Sequence, residues 1–293
     1  MRKECDVNVL DKQFLFITTL ITTEWQGNTY SGTGFFFQQK EPAMKDGKLS
    51  YYWLVTNRHV VYSKEDSTKK KHLVDSLTFR VRAEEKATQK LIWLEMAMSK
   101  AELLQKAKVL PDTSIDVCVI DICEKVDTEL EKYSDLNVTI CPIEEDNLAD
   151  KSKFPIESSD DVIVIGYPRG FYDSVNLYPI VKNGIIASMW GANFRGTRGF
   201  AIDAKLFPGS SGSLVITKPR MEDLDKDGYL VFMKEKKYYC LGIYSGEPLF
   251  NRMTIDVNGN PAVLHYSFDL GQVWYYDLIP ETIQNGVVPQ LEL

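Results

Sequence analysis

Apolar and β-branched residues fall in short runs separated by turn residues along the whole chain. In the first part the runs are Phe14 to Thr23, Gly34 to Gln38, Tyr51 to Thr56, Leu73 to Val81, Ile115 to Ile122 and Val162 to Gly166. They continue as Val181 to Met189, Phe200 to Ala204, Ser213 to Ile216, Tyr229 to Met233, Tyr238 to Tyr244 and Ala262 to Phe268. So many short runs at close spacing predict an all-β sandwich or barrel. Helical periodicity is scarce. It is clearest at Lys100 to Lys108, where Ser99 and Glu102 have capping-box spacing, Leu103, Leu104 and Ala107 form an apolar face, and Pro111 stops the run. A turn or two of helix is expected at Pro280 to Asn285. The charged, turn-prone stretch Glu144 to Asp161 divides a single domain, residues 1–293, into halves of about six strands each, near 10–145 and 155–275, with a tail at 276–293. There is no internal repeat and no Gly/Ser linker.

Composition narrows the picture. A chain of 293 residues, 44% hydrophobic and 26% charged, can bury a core that needs neither disulfides nor metals. Its five cysteines are odd in number and lack Cys-x-x-Cys spacing, so free thiols are expected, with Cys118 a small hydrophobe in an apolar strand. The start, Met1 to Asp6, is charged and leads into no cleavage site, and no run approaches the roughly 18 apolar residues of a membrane span. These features predict a cytoplasmic, reducing location with no membrane contact, and they leave the sequon Asn137-Val-Thr139 idle. A net charge of -7 argues against a nucleic-acid groove, and Lys69 to His72 reads as a solvated loop. Asp223 to Gly228 matches the first half of a calcium loop, but Lys234 stands where a bidentate Glu is needed, so it reads as an acidic hairpin turn and no metal or cofactor is expected.

Candidate chemistry lies in three segments: Leu54-Val-Thr-Asn-Arg-His59-Val, Ile115-Asp116-Val-Cys-Val-Ile120 and Pro208-Gly-Ser-Ser211-Gly-Ser213. A nucleophilic serine needs a base for its proton, and the base needs a carboxylate to fix its tautomer and hold the imidazolium that forms. The chain order His59, Asp116, Ser211 is that of the chymotrypsin arrangement, distinct from the α/β-hydrolase and subtilisin orders. Asp121 is a competing carboxylate, but alternation puts it on the opposite strand face from Asp116. His72 and His265 read as structural. Small residues around Ser211 permit an exposed hydroxyl, and Gly209 lets its own N–H and that of Ser211 converge as an oxyanion hole.

Together with Ser31-Gly-Thr-Gly-Phe-Phe-Phe37, Val162-Ile-Val-Ile-Gly-Tyr-Pro168, Asn183-Gly-Ile-Ile-Ala-Ser188 and Asp203-Ala-Lys-Leu-Phe-Pro208, these segments resemble trypsin-fold serine peptidases of bacterial type. The likeness runs in order over Phe14 to Gly246 and is greatest to the catalytic domain of high-temperature-requirement proteases, without their PDZ domain. It implies two packed six-stranded antiparallel barrels, with His59 and Asp116 from the first and Ser211 from the second. It also implies a substrate pocket of Lys205, Leu206 and Phe207 with Tyr244, Ser245, Gly246 and Glu247, in which Ser245 supports the triad aspartate. Lys205, at the specificity position, disfavours basic side chains at P1, the substrate residue whose carbonyl is attacked. Val60 stands where secreted relatives have a disulfide cysteine, and Ser210 where zymogen-activated relatives have an aspartate.

The expected function is therefore a serine endopeptidase acting on protein or peptide substrates, narrow or gated by a regulatory protein partner bound at the Lys64 to Pro111 insertion. The alternatives are a catalytically silent pseudopeptidase serving as a protein-binding module, and an esterase using the same triad.

Overall fold

The computed structural model describes residues 10–45, 48–64, 71–149, 156–224, 227, 229–248, 250–255, 260–266 and 268–289. The charged start, Lys69 and Lys70, part of the Glu144 to Asp161 boundary, and Asp225, Lys226 and Gly228 of the acidic turn lie outside the described residues. The first half contains β1 (Thr18–Trp25), β2 (Asn28–Lys45), β3 (Lys48–Thr56), β4 (Tyr62–Lys64), β5 (Lys71–Leu73), β6 (Ser76–Glu85), β7 (Leu91–Ser99), β8 (Ala107–Val109), β9 (Cys118–Asp121), β10 (Leu136–Thr139) and β11 (Ile143–Glu144). The second contains β12 (Asp161–Gly166), β13 (Ile180–Ile186), β14 (Gly199–Asp203), β15 (Leu214–Thr217), β16 (Arg220–Leu224), β17 (Leu230–Lys237), β18 (Cys240–Gly246), β19 (Phe250–Ile255), β20 (Pro261–Tyr266) and β21 (Leu270–Tyr275). The helices are α1 (Leu10–Ile17), α2 (Arg58–Val61), α3 (Lys100–Lys106), α4 (Cys123–Leu130) and α5 (Leu278–Asn285).

The second half forms the expected closed six-stranded barrel, in the order β12-β13-β14-β21-β18-β15, with β16-β17 and β19-β20 as separate hairpins. The first half departs from a closed six-stranded barrel. Nine strands share a sheet whose path runs β10-β6-β1-β2-β3-β9-β8, with β7 on β6 and β11 on β2. This sheet curls about one core, because Ala107 of β8 and Val138 of β10, from opposite ends of the path, share it with Ile21, Phe36, Leu54 and Phe79.

Period-two alternation explains why the central strands read as unbroken apolar runs. Phe36 enters the first core while Phe35 and Phe37 enter a cluster between the halves; Leu54 alternates likewise with Trp53 and Val55, and Cys118 and Ile120 with Val119. In the second half Leu214 and Ile216 enter the shared cluster and Val215 the barrel interior. Each fully buried phenylalanine contributes about 1.5–3 kcal/mol relative to exposure.

Several expectations are corrected. The Phe14 to Thr23 run is the end of α1 followed by β1, because Phe14 and Ile17 lie three apart and pack together into the shared cluster. The Ser99–Glu102 capping box is present, but α3 ends at Lys106 and Ala107 begins β8 well before Pro111. The Lys64 to Pro111 stretch is no added flap, since Leu77, Phe79, Val81, Leu94, Met96, Met98 and Leu103 build the first core. Cys118, Cys123 and Cys240 form no disulfide and are buried, whereas Cys141 is disulfide-bonded, against the expectation of free thiols. Framework spacing reports local cysteine clusters and misses a lone disulfide, so the cysteines do not support a reducing location.

Candidate active site

β3 ends at Thr56 and passes through Asn57 into the single turn of α2, which sets His59 at the edge of a rigid sheet. Asn57 makes no capping bond with its side chain; instead its Nδ2 donates to the Asp116 carbonyl at 2.8 Å. Buried Arg58 donates from Nη1 to the carbonyls of Leu110 at 3.1 Å and Asp112 at 3.3 Å. The Asp112 carboxyl closes a local turn by accepting from the Ser114 hydroxyl at 2.7 Å and N–H at 2.9 Å, and these bonds hold its pKa below the usual aspartate value. The 110–116 segment is thus fastened to α2 before Asp116 is reached.

Asp116 lies two residues ahead of β9. Its Oδ1 accepts the His59 N–H at 2.8 Å, and its Oδ2 lies 2.7 Å from His59 Nδ1 and accepts the Ser245 hydroxyl at 2.6 Å. A carboxylate at Nδ1 favours the tautomer protonated there and leaves Nε2 with its lone pair. The His59 side chain is 42% exposed and that of Asp116 21%, so the ring meets solvent while its partner is sheltered. Asp121 has another task, accepting the Cys123 N–H at 3.1 Å where α4 starts. His72 stacks on Trp25 with centroids 5.7 Å apart, and His265 lies in β20.

The turn from Pro208 to Ser213 leads into β15. Within it the N–H groups of Ser210, Gly212 and Ser213 donate to the carbonyls of Phe207, Tyr244 and Ser210 at 2.8–3.0 Å. Those of Gly209 and Ser211 have no acceptor among the described residues. The Pro208 carbonyl accepts the Arg169 N–H at 2.7 Å, and because the peptide is trans, the Gly209 N–H points the opposite way. Gly209 has φ +88°, and a Cβ there would lie 2.5 Å from Arg169 N, so only glycine fits.

The first half holds this turn. Thr33 donates its N–H to the Ser211 carbonyl at 2.8 Å and its hydroxyl to the Gly209 carbonyl at 3.0 Å, while Thr56 Oγ1 donates to the Thr33 carbonyl at 2.8 Å. Thr33, Thr56, Asn57 and Arg58 stand inside the segments that carry the family likeness. Their roles depend on backbone partners across the chain, so sequence reasoning assigned them none.

Ser245 joins the two sides. The register between β18 and β21 shifts between Tyr244 and Gly246, which drops Ser245 out of the ladder. Its hydroxyl turns to Asp116 and its carbonyl accepts the Ser211 hydroxyl at 3.0 Å. Ser211 Oγ has no hydrogen bond to His59 among the described residues. Of the expected pocket residues, Lys205, Phe207 and Glu247 are exposed, Leu206, Ser245 and Gly246 half-buried, and Tyr244 is buried against Gly271. Lys182 of β13 donates to the Lys205 carbonyl and sits 4.9 Å over the Phe207 ring. Neither Lys182 nor Lys205 has a carboxylate partner among the described residues.

Solved structures with a similar course of chain include the active form of the Rv3671c protease from M. tuberculosis, at 16% identity, covering 97% of this chain and 86% of that one with a TM-score of 0.44. The HtrA-type protease AlgW with a tripeptide matches at 16% identity over 94% of this chain and 63% of that one, TM-score 0.44. Tobacco etch virus protease complexed with product matches at 10% identity over 98% and 84%, TM-score 0.43. No curated protein sequence matches. The family model of the trypsin-like peptidase domain matches residues 32–220, more than half of the chain, from the strand that holds Thr33 past the turn that holds Ser211, and the chain belongs to that family.

Proposed function

We propose that this trypsin-like peptidase hydrolyses peptide bonds through an acyl-enzyme formed on Ser211. Ser211 Oγ attacks the scissile carbonyl and passes its proton to His59 Nε2, which returns it to the leaving amine. Asp116 holds the His59 tautomer and stabilises the imidazolium, and the N–H groups of Gly209 and Ser211 receive the oxyanion. The observation that carries this reading is the pair of N–H groups on either side of Ser210 that have no acceptor among the described residues, in a turn whose other backbone N–H groups are all engaged. Each such donor contributes about 3 kcal/mol to a developing oxyanion. An open pair argues against the silent-module reading, which needs a collapsed turn.

The Ser211 hydroxyl donates to the Ser245 carbonyl, so attack requires that it first leave that acceptor, and this supports a narrow or regulated enzyme. The Lys182 ammonium over the Phe207 ring, and the absence of a carboxylate partner for either Lys182 or Lys205 among the described residues, support a pocket that disfavours basic P1 side chains and favours acidic or medium apolar ones. The test is digestion of a proteome-derived peptide library, read by mass spectrometry, with wild type and Ser211→Ala. Cuts that vanish in the variant and avoid Lys and Arg at P1 are expected. Cuts that persist in Ser211→Ala would sink the assignment, and turnover of esters without amides would select the esterase.

A further inference from the structure

Arg82 on β6 is 1% exposed, and no carboxylate pairs with it among the described residues. Alternation sends Leu77, Phe79, Val81 and Ala83 into the first core and puts Arg80 and Arg82 on the other face. Arg80 there pairs with Glu95. Arg82 is instead covered by the second half. Its Nε and Nη2 donate to the Leu177 carbonyl at 3.0 and 2.8 Å, its Nη1 to the Thr18 carbonyl at 2.9 Å, and its Nη2 also to the Tyr167 hydroxyl. The guanidinium lies 4.4 Å from the Trp93 ring centre, and burial pulls its pKa below the ordinary arginine value. A buried cation without a counter-ion is costly, and apolar replacements at buried charged sites are often neutral or stabilising. Stability alone does not account for an arginine here.

What Arg82 grips is the loop between β12 and β13, at both ends. Tyr167 is held by its hydroxyl to Arg82 and by its N–H to Thr33 Oγ1 at 2.9 Å. Two residues on, the Arg169 N–H holds the Pro208 carbonyl. At the far end Leu177 keeps a left-handed φ of +54°, an uncommon conformation for a residue with a branched side chain, with its carbonyl doubly bonded to the guanidinium.

We infer that Arg82 is a positioning residue for the oxyanion hole: through Tyr167 and Leu177 it fixes the loop whose Arg169 N–H aims the Pro208–Gly209 peptide. The inference rests on the reading of Gly209 and Ser211 as the oxyanion donors.

The test compares wild type, Arg82→Met, Arg82→Lys and the control Arg80→Met. Three readouts are taken: kcat and KM on a cleaved peptide, affinity for a peptide boronic acid against that for the product peptide, and the Gly209 amide resonance of 15N-labelled protein. Losing one oxyanion donor costs about 10²–10³ in kcat, so misaiming one through a loop lowers kcat about ten- to a hundredfold in Arg82→Met. KM stays within about threefold, since ground-state binding is untouched. Boronate affinity falls by the same factor as kcat, product affinity holds, and the Gly209 resonance moves. Arg82→Lys recovers part of each loss and Arg80→Met changes none. An unmoved Gly209 resonance in folded Arg82→Met overturns the inference, as does a parallel fall of kcat and product affinity. Should wild type cleave nothing, the peptidase reading fails while the Gly209 resonance alone still decides the role of Arg82. If Arg82→Met does not fold, Tyr167→Phe cuts one arm of the same link and is read identically, with a smaller loss expected.

Discussion

The two sides of the proposed site are built by different means. On the His59 side, side chains do the assembly: Asn57 and Arg58 fasten the Asp116 segment, and Asp116 is bonded to His59 and Ser245. On the Ser211 side the proposed oxyanion donors are backbone N–H groups, in a turn held from outside by Thr33, Thr56 and Arg169. The bonds of Asp116 to His59 and Ser245 are thus formed in the structure as it stands, whereas the proposed mechanism requires Ser211 to exchange its Ser245 acceptor for His59. The lesson is that the half that carries His59 and Asp116 also supplies, through Thr33 and Thr56, part of the scaffolding of the turn in the other half.

That contrast can be broken by substitution. The largest effect short of removing the base or nucleophile is expected for Asp116→Asn, which keeps the shape but favours the wrong His59 tautomer; kcat should fall about 10⁴-fold with the fold retained by circular dichroism. A loss below about tenfold would mean the side-chain assembly is dispensable. Gly209→Ala attacks the backbone side: a Cβ 2.5 Å from Arg169 N at φ +88° must move the turn, and kcat should fall about 10²–10³-fold while product binding holds.

Two further tests sharpen the contrast by leaving the proposed site alone. Ser99→Ala removes the cap of α3, which packs into the first core, so chemical denaturation should show a loss of about 0.5–2 kcal/mol with kcat unchanged. Burial pushes the thiols of Cys118 and Cys240 up to about 12. Iodoacetamide at neutral pH should therefore leave both unmodified in native protein and label them on unfolding.

Legibility in the sequence follows the same division. The pairing of His59 with Asp116 was legible because side-chain chemistry is written in residue identity and chain order. Ser245 was readable only through the family likeness, since its role depends on a register shift with β21. Thr33 and Arg82 were not readable, because what they bind are carbonyls and hydroxyls more than sixty positions away. Alternation put Arg82 on the outer face of β6, and only the second half's loop makes that face interior. The strands β7, β10 and β21 escaped notice where charged or polar residues interrupt their apolar pattern, although the partners that pair with them were found.

The most direct test of the central claim is fluorophosphonate labelling of the purified protein, read by intact mass and peptide mapping, for wild type, Ser211→Ala and His59→Ala. The account predicts a single adduct on Ser211 that disappears in Ser211→Ala and slows on the order of 10³-fold or more in His59→Ala. An adduct on another residue, or labelling of Ser211 at the same rate without His59, would contradict it.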